Sequence, residues 1–272
     1  TKGGVLPELW DGLHNTHPNA EALPIFPIMF VSIACGAISG FHATQSPLMA
    51  RCMTNEHHGR PVFYGAMITE GIVALIWAAA ATIFFHDNGM AESNASVVVN
   101  DITRSWLGTI GGVLAILGVV AAPISTGDTA LRSARLIVAD FLHLEQKKMR
   151  SRLLICIPIF LITIGVLLYS LRDAAGFDMI WRYFAWVNQT LSVFTLFAVS
   201  VFLAKERSGH YYLVTLIPAL FMLAVCSSYI VVAPEGFAKP QSYILPVALG
   251  ISLVALVLFM LWRQKMIHSR KN

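Results

Sequence analysis

Charge is scarce in this chain. Asp, Glu, Lys and Arg make up 12% of its 272 residues while 56% are hydrophobic, whereas a soluble domain carries about 25% charged residues. Too little charge is available to clothe a globule in water, which excludes an ordinary soluble domain. The mean hydropathy of +0.67 agrees. Cysteine is also rare: Cys35, Cys156 and Cys226 fall inside apolar stretches and Cys52 lies beside one, which excludes a disulfide framework. No CxxC pair occurs, and His57-His58 follow Glu56 without the HExxH spacing that sets two imidazoles on one helix face. No metal site and no cofactor are expected. Nor is an enzyme, because no nucleophile–base pairing is visible and a lone His42 in its apolar segment gives no bis-histidine haem site.

What is present is length in apolar runs. A bilayer core needs about 20 mostly apolar residues per helix, and seven segments approach that length: 24–46, 62–86, 108–126, 153–171, 181–203, 212–232 and 244–262. The expected fold is therefore all-α, a polytopic membrane helix bundle with about seven transmembrane helices, embedded in the lipid bilayer. Basic residues are retained on the cytoplasmic side. Alternate connections divide the 19 Lys and Arg as 14 against 5, with Arg51, Arg132, Arg152, Lys205 and Arg263 in the richer set. That predicts an outside N-terminus and a cytoplasmic C-terminus. It also accounts for the pI of about 8.9, so no nucleic-acid partner is invoked. The organisation expected is an external loop over 1–23, the membrane domain over 24–262, a cytoplasmic amphipathic helix and basic loop over 128–152, and a cytoplasmic tail over 263–272. Because the chain opens on Thr1 with a polar, Pro- and His-containing stretch, it reads as part of a longer protein whose upstream part is a partner in the same molecule.

The first apolar segment is interrupted by Gly40-Phe41-His42-Ala43-Thr44-Gln45-Ser46-Pro47. Gly40 can end a helix in a left-handed conformation, while Ser46-Pro47 resembles a cap followed by proline at the first helical position. The local reading is a half-helix over 24–39, an unwound linker, and a second helix from Pro47. Lipid cannot satisfy the freed backbone groups, so such a break must be buried in protein or line a cavity. Carbonyls at the end of the first half suit a cation, and N–H groups at the start of the second suit a carboxylate. His42 is a candidate proton shuttle, a role that suits an imidazole. A plain kink with His42 satisfied by neighbouring backbone fits the same residues. Ser32, Gly36 and Gly40 form a small-residue stripe that lets a second helix approach.

Three further positions carry candidate chemistry. Glu70 is the carboxylate well inside an apolar segment, a costly placement that marks a proton relay or cation ligand, with a buried packing bond as the alternative. Pro123-Ile124-Ser125-Thr126-Gly127-Asp128 offers Ser125, Thr126 and Asp128 to a small cation, yet Ser125-x-x-Asp128 is also a capping box for a helix starting there. Asn188 and Gln189 are adjacent amides in the fifth segment; they point in different directions on a helix, and interhelical hydrogen bonding is the expected role.

Taken together, the run from Ala37 through Gly40, His42, Ser46-Pro47 and Arg51 to Cys52, then Glu70-Gly71, then Gly127-Asp128 through Arg132 to Arg135 resembles the carbon starvation protein family, CstA. Its members are bacterial inner-membrane proteins linked to uptake of peptides and, in close relatives, pyruvate. The resemblance runs through the whole chain and corresponds to the C-terminal part of such a protein. It implies a multi-pass inner-membrane secondary transporter acting in the response to carbon starvation. The substrate would be a small carboxylate-bearing molecule, coupled to H⁺ or Na⁺. That family in turn is similar to the amino acid–polyamine–cation (APC, LeuT-like) transporters, with two inverted five-helix repeats and a broken first helix in each. On that likeness, 24–46 is the sixth helix, 108–126 the eighth, and the chain is the second repeat plus two extra helices. Gly40, His42, Thr44, Gln45, Ser46 and Pro47 would then bind substrate, Glu70 and His42 would couple protons, and Ser125, Thr126 and Asp128 would hold the cation. A membrane nutrient sensor or signalling scaffold without net transport, contacting a partner through its basic loop, is the competing reading.

Overall fold

A computed structural model of the chain describes residues 24–33, 38–88, 95–172, 174–206 and 209–269. The expected external loop 1–23 lies outside them. Every regular element among the described residues is helical: α1 (Phe30–Ile33, entered through a π turn Ile25–Met29), α2 (Gly40–Cys52), α3 (Ala66–Asn88, entered through Glu56–His58 and Arg60–Gly65), α4 (Ala95–Phe141), α5 (Met149–Arg172), α6 (Ala174–Glu206), α7 (Leu213–Val232) and α8 (Ile244–Ser269). Among the described residues, five stretches are long and apolar enough to cross a bilayer: Glu56–Phe85, Met149–Arg172, Met179–Glu206, Leu213–Val232 and Gln241–His268. They overlap five of the seven expected segments. Of the other two, 24–46 is divided between α1 and α2, and 108–126 forms the middle of α4.

The chain divides into two compact units, one containing 48–166 and the other 15–47 with 167–272. In the second unit α7 packs between α6 and α8. Its buried positions Leu216, Ala219, Met222, Val225, Cys226 and Tyr229 recur at helical spacing, so a stripe of α7 is enclosed while Val214, Ile217 and Phe221 are exposed. Hydroxyls join the helices where carbon packing alone has little driving force in a membrane. Ser200 and Thr215 pair at 2.8 Å, and the Ser252 hydroxyl donates to the Leu220 carbonyl at 3.2 Å. Near one end, Tyr212 stacks on Phe259 and Arg263 lies 4.4 Å over the Tyr212 ring. At the other, Val31 of α1 packs with Val225, Tyr229 and Ala233.

In the first unit α4 is long enough to include both the third expected span, 108–126, and the helix expected beyond it. Its axis is broken at Gly108, whose φ of 67° and ψ of −166° are open to glycine. Two local expectations are corrected here. Residues 125–128 lie inside α4, so the Ser125-x-x-Asp128 pattern does not cap a new helix. Residues 128–141 continue α4, and the chain leaves helix only over 142–148. Asp128 is paired one turn on with Arg132 at 2.7 Å, an arrangement that favours continuing a helix over starting one. The second correction concerns the octet. Gly40 through Pro47 is helical, forming the first eight residues of α2 with Pro47 inside it; the described non-helical backbone lies just upstream, at Ile38-Ser39.

Candidate functional site

Ile38-Ser39 is non-helical directly before α2, so the first N–H groups of α2 lack intrahelical partners. Ser39 serves them as an N-cap: its carbonyl accepts from His42 N–H at 3.1 Å and its hydroxyl accepts from Phe41 N–H at 3.2 Å. Asn188 of α6 reinforces that cap. Its Oδ1 accepts the same Phe41 N–H at 3.1 Å and its Nδ2 donates to Ser39 Oγ at 2.9 Å. Gln189, next along α6, donates through Nε2 to the Val31 carbonyl of α1 at 3.5 Å. Adjacent helical residues diverge by about 100°, so two neighbouring amides reach opposite sides of one break. Ser39, Asn188 and Gln189 are all buried.

This arrangement explains why the octet is helical. The capping hydroxyl is that of Ser39, one residue before Gly40, and with Asn188 beside it the helix starts there instead of at Pro47. Gly40 itself is needed for the approach of α2 to α6, since a Cβ at that position would stand 2.8 Å from Leu191 Cβ and against the Asn188 carbonyl. Along α2 the hydroxyls are used locally: Thr44 Oγ1 donates to the Phe41 carbonyl at 3.0 Å and Ser46 Oγ to the His42 carbonyl. The expected open donors at Ser46 and Pro47 are therefore not formed. Pro47 has no N–H and Ser46 is inside the helix. His42, Thr44 and Gln45 are half-buried on α2 and Pro47 is exposed.

The remaining candidates fall in the other compact unit. Glu70 lies on an exposed face of α3 among outward-facing Ile68, Ile72 and Val73. Ser125 and Thr126 are in α4, with Thr126 exposed and the Ser125 side chain outside the described residues. Asp128 is exposed and held by Arg132.

One polar cluster went unread in the sequence. Glu235, just past α7, has a side chain only 3% exposed and lies 3.3 Å from Arg182 Nε of α6. Its Oε1 accepts from Tyr229 OH at 2.5 Å, and its carbonyl accepts from Tyr183 OH at 2.8 Å. With Trp186 Nε1 donating to the Cys226 carbonyl at 2.9 Å, these bonds fasten α6 to the end of α7 at the level where Val31 and Tyr229 pack together. Two of the participants, Arg182 and Glu235, sit near span ends and read as ordinary loop charges. The one local signal for Ser39 was its place directly before Gly40.

Comparisons with known proteins point one way. The sequence profile described as Carbon starvation protein CstA matches residues 14–106 and 88–228. A protein named Peptide transporter CstA from Bacillus subtilis is 27% identical over 276 residues, covering 85% of this chain and 45% of its own length; one of the same name from Campylobacter jejuni is 26% identical over 261 residues, covering 73% and 37%. The Pyruvate/proton symporter BtsT of Escherichia coli is 45% identical over 60 residues, 22% of this chain and 8% of that protein. The chain thus spans less than half the length of these named transporters. No solved structure matches it. Five apolar helices together with such relatives make this a multi-pass membrane protein. Because the profile runs across the broken α1–α2 segment and the two amides that bridge it, the chain belongs to the carbon starvation protein CstA family.

Proposed function

We propose that this chain is part of a secondary active transporter that moves a small carboxylate-bearing nutrient, a peptide or pyruvate, coupled to H⁺ or Na⁺ during carbon starvation. The observation that carries the reading is the break between α1 and α2, buried and bridged by Asn188 and Gln189. Irregular backbone within membrane helices is tolerated where it lines a site, and in transporters it is where substrates and coupling ions bind. Substrate would lie along the first turns of α2, at Gly40, His42, Thr44 and Gln45.

Glu70 is the first choice for proton coupling, with His42 as a second group. A carboxylate within an apolar helix is a costly placement that suits a proton relay. Ser125 and Thr126 would hold a coupling cation in α4, and Asp128 would join them once released from Arg132. The wider reading is an APC (LeuT-like) second repeat with two extra helices, seven spans in all, in the bacterial inner membrane with the C-terminus cytoplasmic. The named relatives support a peptide or pyruvate substrate.

Uptake of labelled pyruvate and of a labelled dipeptide into proteoliposomes, each competed by the other, tests the substrate. Glu70→Gln and His42→Ala variants test coupling. Substrate-driven H⁺ flux unchanged in both variants would remove the proton assignment, and ligand binding without uptake would remove transport.

A further inference from the structure

Between α4 and α5 lies a cavity of about 400 Å³, and its walls include Asp128, Arg132 and Arg135 from α4 and Arg152, Ile159 and Phe160 from α5. Three guanidinium groups face one carboxylate there, leaving a surplus of two positive charges. Asp128 is already engaged by Arg132 at 2.7 Å, and Arg152 donates through Nε to the Gln146 carbonyl at 2.5 Å. Arg135 differs: no carboxylate of the lining is left to balance it, since Asp128 is engaged by Arg132, and among the described residues its buried Nε meets no acceptor. A guanidinium enclosed without a counter-charge is costly, so the cavity-facing side of this one suits an anionic oxygen from outside the chain.

The cavity is also graded in depth. Arg152 lies in the first turn of the apolar stretch Met149–Arg172, and Phe160 is eight residues further in, about 12 Å at the helical rise. An ion alone would use the arginine end and leave the Ile159–Phe160 wall idle. A phosphate joined to an acyl chain would use both, as basic pockets between membrane helices do for anionic head groups.

We propose that this cavity binds the phosphate of an anionic phospholipid, with Arg135 and Arg152 on the head group and the first acyl carbons along Ile159 and Phe160. The same oxygen chemistry would be offered by free inorganic phosphate, and the test separates the two sources. The full chain in neutral detergent is titrated with phosphatidylglycerol, phosphatidylcholine or inorganic phosphate, and bound species are counted by native mass spectrometry. One phosphatidylglycerol is expected to bind about tenfold more tightly than phosphatidylcholine. That preference should disappear in Arg135→Gln and in Arg152→Gln, and persist in Arg150→Gln, an exposed basic residue outside the cavity lining. Should Arg135→Gln fail to fold, Arg152→Gln carries the comparison. Retention of the full preference in the folded cavity variants would overturn the site. Millimolar phosphate that displaces the lipid and binds as tightly would overturn the lipid as its occupant.

Discussion

Asn188 Nδ2 donates to Ser39 Oγ at 2.9 Å across 149 residues of sequence. That bond, with the Phe41 N–H on Asn188 Oδ1, makes the start of α2 dependent on α6. A helix end buried in a membrane must find its partners within the protein, so the break and its amide bridge form one structural unit.

Replacing Asn188 by Ala removes an acceptor from Phe41 N–H and a donor from Ser39. The expected loss is about 1–3 kcal/mol for the stranded buried groups, read as a lowered unfolding midpoint in detergent, together with reduced uptake. Thr195→Ala is the comparison: among the described residues that hydroxyl bonds its own helix, at the Leu191 carbonyl, and its removal should change stability by about 0.5 kcal/mol or less. Equal effects from both variants would contradict the bridge.

Gly40 and Gly250 should respond oppositely to alanine. At Gly40 the added methyl meets Leu191 and the Asn188 backbone, whereas at Gly250 of α8 nothing lies within 4 Å. Overpacking predicts a loss of about 1–3 kcal/mol for Gly40→Ala. Gly250→Ala should be neutral or stabilising by up to about 1 kcal/mol. Denaturation of the two variants side by side in the same detergent decides it.

Glu235→Ala strands the Tyr229 hydroxyl and should destabilise by about 1–3 kcal/mol. Glu235→Gln keeps an acceptor for Tyr229 and should cost less. A double-mutant cycle with Arg182→Gln is expected to give a coupling of about 1 kcal/mol or less, because the Arg182 side chain is 47% exposed and such pairs are screened. Raising the salt concentration should shrink that coupling and leave the loss caused by Glu235→Ala in place.

Sidedness can be read at Cys52, which is exposed at the end of α2. With the basic connections inside, a membrane-impermeant maleimide should label Cys52 in inverted vesicles and not in intact cells. Labelling from the outside would reverse the orientation derived from charge.

The residues themselves determined the class of molecule and the presence of an interruption near Gly40. Scarce charge and long apolar runs leave a helical membrane bundle as the economical solution, and the five spans follow from hydrophobic length, a property of contiguous sequence. Glycine, histidine and proline in one such run announce a break, again locally. Tertiary structure decided where the break falls. The cap on α2 is completed by Asn188, and the carbonyl of Val31 is met by Gln189, both from a helix about 150 residues away, so local signals favoured Ser46-Pro47 where the folded chain uses Ser39-Gly40. Asp128 likewise has the spacing of a cap but is spent on Arg132 inside a longer helix. Glu235 reads as a loop charge until folding encloses it beneath Arg182 and Tyr229. In each case the deciding partner lay beyond the window in which a sequence pattern can be recognised, because the energy of a buried polar group is set by whatever the fold brings against it.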